Sequence, residues 1–116
     1  MPHKPGRILS VSSNRVLSQT RNTVLAHAGY AVRPSFTAES TVAALANHDF
    51  DLVLIGHTLK YPQQKELIQK IRKISKAPVL VVGYGVQEDV GANAYVEGID
   101  GPEKLLATIA KLLAEN

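Results

Sequence analysis

Short aliphatic runs recur along the chain, and most are followed by a stretch in which apolar residues return every three or four positions. The runs predict buried β-strands and the stretches predict amphipathic helices. The predicted strands are 7–12, 30–36, 51–55, 78–82 and 93–98. The predicted helices are 14–29, 38–48, 62–75 and 101–116. The segment 83–91 predicts only a loop or one to two helical turns.

Local signals refine these elements. Thr37 is expected to cap the second helix, and Gly29 is expected to end the first. Pro34 favours an outer position for the second strand, because proline cannot donate to a sheet ladder. The positions expected to face the sheet are Val16, Leu17, Thr20, Val24, Leu25 and Ala28 in the first helix, Val42, Leu45 and Ala46 in the second, Leu67, Ile68 and Ile71 in the third, and Leu105, Leu106, Ile109, Leu112 and Leu113 in the last.

Alternation of strands and helices predicts an α/β fold, with a parallel sheet, right-handed crossovers and helices on both faces. The 116 residues suffice for one hydrophobic core but not for two. We therefore expect one domain, 7–116, preceded by an N-terminal tail, 1–6.

Composition removes several classes of function. The chain has no cysteine, which excludes disulfides and thiolate metal sites. Its polar N-terminus does not resemble a signal peptide, and its apolar runs are far too short to span a membrane. These features favour a cytoplasmic protein without membrane contact.

The net charge is +3, and six of the 13 basic residues lie between Lys60 and Lys76. Most of this cluster falls in or after the last turn of the third helix, where cations suit the helix dipole. No aromatic residues alternate with the charges to form a stacking platform, so nucleic-acid binding is not expected.

Candidate chemistry lies at the carboxyl ends of the strands, because ligands of doubly wound sheets bind there. The residues at these ends are Ser12, Ser13, Asn14 and Arg15 after the first strand, Gly56 and His57 after the third, Gly83, Tyr84 and Gly85 after the fourth, and Glu97 and Gly98 after the fifth. A candidate ligand pocket consists of Ser12, Ser13, Asn14, His57 and Tyr84.

Six stretches carry a resemblance to one family. They are "RILSVSSN", "LAHAGYAV", "HDFDLVLIG", "KELIQKIRK", "APVLVVGY" and "VGANAYVEGIDGPEKLLATI". Together they make the chain, from about Arg7 to Leu113, similar to a response-regulator receiver domain, the phospho-acceptor module of two-component signalling. The resemblance implies a flavodoxin-like fold with five parallel strands in the order 2-1-3-4-5, in a bacterial protein.

The family transfers a phosphoryl group to an aspartate that ends the third strand. Two acids after the first strand hold Mg²⁺, while a hydroxyl after the fourth strand and a lysine after the fifth hold the phosphoryl oxygens. The positions that correspond to these five residues are Ser12 and Ser13 for the acids, Gly56 for the acceptor, Gly83 for the hydroxyl and Gly98 for the lysine. None carries the family's side chain, so the chain resembles a degenerate receiver, or pseudo-receiver, without a phospho-acceptor or a metal site.

Tyr95 corresponds to the family's aromatic switch residue, which rotates inward when the hydroxyl after the fourth strand moves. With Gly83 in place of that hydroxyl, this coupling has no group to act through. Tyr95 is otherwise an amphipathic residue of an edge strand.

The connection between the fourth and fifth strands is also short. Seven residues separate Gly83 from Gly91, about two helical turns fewer than in the family. We expect a shortened or missing fourth helix, with Leu80, Val82 or Val96 left partly uncovered beside an edge strand. Such a surface favours a protein partner or a homodimer through the face of the short fourth helix, the fifth strand and the last helix.

Simpler interpretations stand beside the candidate site. Ser13 or Asn14 would cap the first helix, although the same helix end suits an anion. His57 lacks neighbouring ligands for a metal, and Ile55 and Lys60 do not match the D-x-H-x-x-G motif of cobalamin-binding domains, so an exposed loop histidine is expected. The acids that cluster near the last two strands suit a basic partner or a solvated rim. They are Glu88, Asp89, Glu97 and Asp100.

These observations predict a phosphorylation-independent module that acts in signal transduction by protein–protein interaction. The alternative is a regulatory module that binds a small molecule or an anion in a neutral pocket at the strand ends. Neither function requires a cofactor. Enzymatic activity is not expected, because the strand ends offer no acid–base pair or activated nucleophile.

Overall fold

The strands form one parallel sheet in the order β2-β1-β3-β4-β5, as predicted. The structure is a computed structural model, and it describes residues 6–85 and 87–115. The strands are β1 (Arg7–Val11), β2 (Ala31–Ser35), β3 (Leu52–Ile55), β4 (Val79–Gly83) and β5 (Ala94–Glu97). The helices are α1 (Arg15–His27), α2 (Ala38–Asn47), α3 (Tyr61–Ile74) and α4 (Gly101–Ala114), the last preceded by a 3₁₀ turn, Gly98–Asp100.

The predicted tail lies outside the described residues except for Gly6, whose carbonyl accepts the Ala31 N–H. None of the helices in the described residues is long and apolar enough to cross a membrane.

Hydrogen bonds at the helix ends explain where the helices begin. The Asn14 side chain accepts the Leu17 N–H at 3.0 Å and caps α1. Thr37 caps α2, because its hydroxyl accepts the Ser40 N–H at 3.0 Å. After α1, Gly29 adopts φ +100°, a conformation that favours glycine. The expected caps at positions 14, 29 and 37 are therefore confirmed.

Two hydrophobic cores lie on opposite faces of the sheet, because successive strand residues point to opposite sides. The α2–α3 core lies under those two helices, and its strand residues are Leu9, Val11, Val53, Ile55, Val79 and Val81. The α1–α4 core lies on the other face, and its strand residues are Ile8, Leu52, Leu54, Leu80, Val82 and Val96. The central strands are thus covered on both faces.

The inward face of α1 was predicted correctly only in part. Leu25 is buried and Val24 is partly buried, as expected. Of the other predicted positions, Val16 is 73% exposed, and Leu17, Thr20 and Ala28 are also exposed. Ser18, which was not predicted, is buried. The inner side of the helix therefore carries the positions around 18, 21, 22 and 25, which have helical spacing but mostly polar side chains. Apolar periodicity cannot locate a face of this kind.

Smaller differences affect the other helices. In α2, Ala46 is exposed, and Thr41 and Ala44 are buried beside Leu45. The apolar faces predicted for α3 and α4 are confirmed, with Leu106 and Leu113 only partly buried.

No helix connects β4 to β5 in the described residues, so the missing fourth helix is confirmed. The connection passes over the α2–α3 face, since Val90, which is 2% exposed, belongs to that core. Arg72 of α3 anchors the segment, because its guanidinium donates to the Gly91 carbonyl at 3.1 Å and to the Asn93 side chain at 2.6 Å. Val90 and Arg72 thus help to connect this segment to the rest of the fold.

The prediction that Leu80, Val82 or Val96 would be partly uncovered is wrong, because all three side chains are buried. They point to the α1–α4 face, where Leu105 and Ile109 of α4 cover them. The missing helix would cover the opposite face, on which Val90 belongs to the core.

We predict that Val90→Ala lowers the free energy of unfolding by about 1–3 kcal/mol, because it removes two buried methyl groups and leaves a cavity. Val16→Ala is the matched control, since the same atoms are lost from an exposed helical position, and its effect should stay within about 0.5 kcal/mol. Urea denaturation measures both. Equal effects of the two substitutions would contradict the assignment of Val90 to the core.

Candidate functional site

The carboxyl ends of β1, β3, β4 and β5 meet at one edge of the sheet, as expected for parallel strands. The candidate site therefore combines residues that are distant in sequence. We define it by Ser12, Ser13, Gly56, His57, Thr58, Gly83, Tyr84 and Gly98, together with Arg21 of α1 and Gln87 of the β4–β5 connection.

Ser12 and Ser13 use their hydrogen-bonding groups within the chain. The buried Ser12 hydroxyl accepts the Asn14 N–H at 3.1 Å and lies 3.2 Å from the Thr58 hydroxyl. The Ser13 N–H donates to the Thr58 hydroxyl at 3.0 Å, and the Ser13 hydroxyl donates to the Thr58 carbonyl at 3.2 Å. Together with the Asn14 cap, these bonds tie the β1–α1 loop to the β3–α3 loop.

The space beside Gly56 is occupied by Arg21. A Cβ atom at position 56 would lie 2.9 Å from Arg21 Nη1 and 3.1 Å from Nη2. A side chain at position 56 would therefore have to displace the guanidinium.

Gly83 and Gly98 show the same arrangement. A Cβ at Gly83 would overlap the side-chain oxygen of Gln87, and a Cβ at Gly98 would overlap the ring of Tyr84. The three glycines are thus each covered by a side chain from elsewhere. In the terms of the resemblance, the acceptor position lies next to the guanidinium of Arg21. The hydroxyl position lies next to the amide of Gln87, and the lysine position lies next to the phenol of Tyr84.

Arg21 contradicts the description of the strand-end pocket as neutral. Its Nε and Nη2 atoms are buried and have no hydrogen-bond partner among the described residues. Burial lowers the pKa of Arg21, and the neighbouring Tyr84 acts in the opposite direction. Because an arginine pKa starts far above 7, the group remains a cation at neutral pH.

These residues do not fit the Mg²⁺ ion that the resemblance implies. A hard divalent cation prefers carboxylate and carbonyl oxygens, whereas Ser12 and Ser13 offer neutral hydroxyls that are already hydrogen-bonded. The guanidinium of Arg21 would also repel a metal ion at this edge. No cluster of three or more histidine, aspartate or glutamate side chains suited to a metal occurs in residues 6–85 and 87–115.

The structure brings together only part of the predicted ligand pocket. His57 is exposed, as expected for a loop histidine, and its ring meets the Tyr84 ring edge-on with centroids 4.6 Å apart. Both residues line a pocket of about 300 Å³ between α1 and α4, which also contains Arg21. Ser12, Ser13 and Asn14 do not line it, and Ser13 instead faces a separate pocket on the α2–α3 side. This pocket therefore contains His57 and Tyr84 of the predicted set without the other three residues.

The sequence prediction missed three contributors to the site. Arg21 follows Ser18 by three positions and precedes Leu25 by four, so helical spacing places all three on one face. Thr58 and Gln87 lie in loops and gave no periodic signal.

Tyr95, the switch-aromatic position, is hydrogen-bonded to the connection that replaces the missing helix. Its hydroxyl accepts the Val90 N–H at 3.0 Å and the Ala92 N–H at 3.2 Å, and it donates to Asp89 at 2.9 Å. The hydrogen bonds that Asp89 accepts from the Gly91 N–H and the Tyr95 hydroxyl hold its pKa below the usual value. Tyr95 is an edge-strand residue, as expected, and it also orders the loop.

No protein-family model and no curated protein matches this sequence. Solved structures do share the fold. A CheY-like response regulator receiver domain from Methanospirillum hungatei is 26% identical, with a TM-score of 0.82 over 97% of this chain and 96% of that one. A two-component response regulator from Clostridium difficile is 20% identical, with a TM-score of 0.82 over 94% and 96% of the two chains.

The signal receiver domain of a putative Luxo repressor protein from Vibrio parahaemolyticus is 15% identical, with a TM-score of 0.82 over 97% of this chain and 92% of that one. Similarity at this level covers the whole sheet and its helices. The chain therefore has the flavodoxin-like fold of a CheY-like receiver domain.

We predict that Tyr95→Phe lowers the free energy of unfolding by about 1 kcal/mol, because the partly buried Val90 amide loses its acceptor. Tyr30→Phe is the control, since the Tyr30 hydroxyl makes no hydrogen bond to the described residues. The lowered pKa of Asp89 means that its ionised form stabilises the fold above about pH 4, and that this contribution disappears as pH falls through the lowered value. The difference between wild type and Tyr95→Phe should therefore narrow in acid. Chemical denaturation between neutral pH and acid pH tests both points. If Tyr95→Phe had the same free energy of unfolding as wild type at neutral pH, the stabilising role of the Tyr95 hydroxyl would be contradicted.

Proposed function

We propose that this protein is a phosphorylation-independent pseudo-receiver that acts in bacterial, cytoplasmic signal transduction by contact with another protein. The observation that carries the proposal is the position of the Arg21 guanidinium against Gly56, where the family has its acceptor aspartate. Gly56 has no side-chain oxygen that could accept a phosphoryl group. The positive charge of the Arg21 guanidinium disfavours binding of Mg²⁺.

The chemistry of phosphoryl transfer supports this proposal. The reaction requires an acceptor oxygen, and metal ions and donors that neutralise the transferred group. Here Gly56 provides no acceptor oxygen, and Ser12 and Ser13 provide no carboxylate. We extend the proposal to catalysis in general: the protein is not an enzyme, since the site contains no activated nucleophile beside a general base.

We predict that incubation with acetyl phosphate and Mg²⁺ leaves the intact mass of the protein unchanged. A phosphorylatable CheY-like receiver domain in the same reaction serves as the positive control. Mass spectrometry before and after hydroxylamine treatment is the measurement, because hydroxylamine removes acyl phosphates. A hydroxylamine-sensitive gain of one phosphoryl group would overturn the proposal.

The surface proposed for partner contact consists of residues 84–100 without the undescribed Val86, together with the adjacent face of α4. It contains Ile99, which is 81% exposed, and Tyr84, which is 58% exposed, beside the edge strand β5. Exposed apolar groups beside a strand edge favour association. The same segment contains four acids, which favour a partner that carries both basic and apolar groups. The acids are Glu88, Asp89, Glu97 and Asp100.

We predict that Ile99→Asp abolishes partner capture or self-association without affecting the fold, because the Ile99 side chain is exposed. Ile74→Asp is the matched control, since Ile74 is exposed at the end of α3, outside this surface. Affinity capture from the source cell and sedimentation equilibrium are the two measurements. The proposed surface is refuted if association is absent in both or persists in Ile99→Asp.

A further inference from the structure

The pocket between α1 and α4 is a hydrophobic cleft with one buried charge. Its volume of about 300 Å³ lies at the lower end of the range for small-molecule sites. The aliphatic side chains that line it come from α1, the sheet and α4. They are Leu17, Val24, Val82, Val96 and Leu105.

Arg21 introduces a positive charge that the chain itself does not neutralise. Its Nε and Nη2 atoms are buried without a hydrogen-bond partner, and it has no carboxylate within ion-pair distance among the described residues. Burial of an unpaired cation is unfavourable, and it lowers the pKa of this guanidinium. A residue that costs stability in the free protein is explained if it pairs with a bound anion.

Glu97 restricts the charge of such an anion. It is the acid that lines this pocket within the described chain, and its carboxylate accepts the Gly85 N–H at 3.1 Å. A second negative group on the ligand would be repelled by the Glu97 carboxylate. A monoanion therefore fits the pocket better than a phosphate dianion.

We propose that this pocket binds a small monocarboxylate with an apolar or aromatic body. The carboxylate pairs with the Arg21 guanidinium after the guanidinium turns its buried Nε–Nη2 edge toward the pocket, where its planar fork matches carboxylate geometry. The body packs on the aliphatic walls, next to the rings of Tyr84 and His57, which meet edge-on at the pocket mouth. The pocket shares Tyr84 and Glu97 with the surface proposed for partner contact, but Ile99 does not line it, so substitution of Ile99 tests the two proposals independently.

Benzoate is the probe, and ¹⁵N-edited NMR titration into the millimolar range is the measurement. Wild type should show saturable shifts for residues around Arg21, Tyr84 and Leu105. Arg21→Met should weaken binding at least about tenfold, because a charge-assisted pair is lost. Arg21→Lys keeps the charge without the fork and should give an intermediate affinity. Arg15→Met is the matched control with unchanged affinity, since the Arg15 guanidinium lies over Phe36, 4.1 Å from the ring centre.

Two further measurements separate a binding role from a structural one. Without benzoate, Arg21→Met should melt at or above the wild-type temperature, because an unpaired buried charge is removed. Ile99→Asp should bind benzoate as wild type does, whatever the outcome of the partner experiments.

The proposal is overturned if benzoate gives no saturable shifts, if Arg21→Met binds it as well as wild type does, or if Arg21→Met melts well below wild type. Tighter binding of inorganic phosphate than of benzoate would overturn the assignment to a monocarboxylate. Loss of benzoate binding in Arg21→Met with retention in Arg15→Met supports it.

Discussion

The contact between the Arg21 guanidinium and Gly56 is the constraint on which the character of the carboxyl edge depends. The guanidinium lies where a side chain at position 56 would begin, so the two positions are sterically coupled. A positive charge there disfavours a metal ion, and a glycine there provides no acceptor oxygen. This strand end thus has a buried positive charge where a phosphoryl-transfer site would have its acceptor carboxylate. The Nε and Nη2 atoms of Arg21 are buried without a hydrogen-bond partner among the described residues, and this is the basis for proposing an external anion as the partner of Arg21.

The connection between β4 and β5 has no helix, and individual side chains hold it against the rest of the fold. Val90 contributes to the core, and Arg72 of α3 donates a hydrogen bond to the connection. The Tyr95 hydroxyl accepts hydrogen bonds from two N–H groups of the connection. These contacts fix Tyr95 to its own loop. In ordinary receivers the corresponding ring rotates, and here three hydrogen bonds oppose such a rotation. The coupling between hydroxyl and aromatic residue that the resemblance implies thus lacks its hydroxyl, because position 83 is glycine. Tyr95, at the position of the aromatic residue, has a structural role.

Tyr84 occupies a central position among these features. Its ring covers Gly98, meets His57 edge-on and lines the pocket that contains Arg21, although more than half of the residue is exposed. It therefore belongs both to the surface proposed for partner contact and to the mouth of the α1–α4 pocket. Both proposed sites lie beside strand-end glycines, where side chains from other segments occupy the space that a Cβ atom would take.

The sequence by itself determined the strands, the helices, the missing fourth helix and the identity of the five strand-end residues. Each of these follows from local patterns: aliphatic runs, helical spacing, caps, and a residue count between Gly83 and Gly91. Tertiary structure decided which face of α1 turns inward, which face of the sheet the missing helix would have covered, and which side chains occupy the space over the glycines. The inner stripe of α1 is mostly polar, so hydrophobicity could not reveal it. The neighbours of a glycine are set by the packing of distant segments, and for that reason the role of Arg21 became apparent only once the chain was folded.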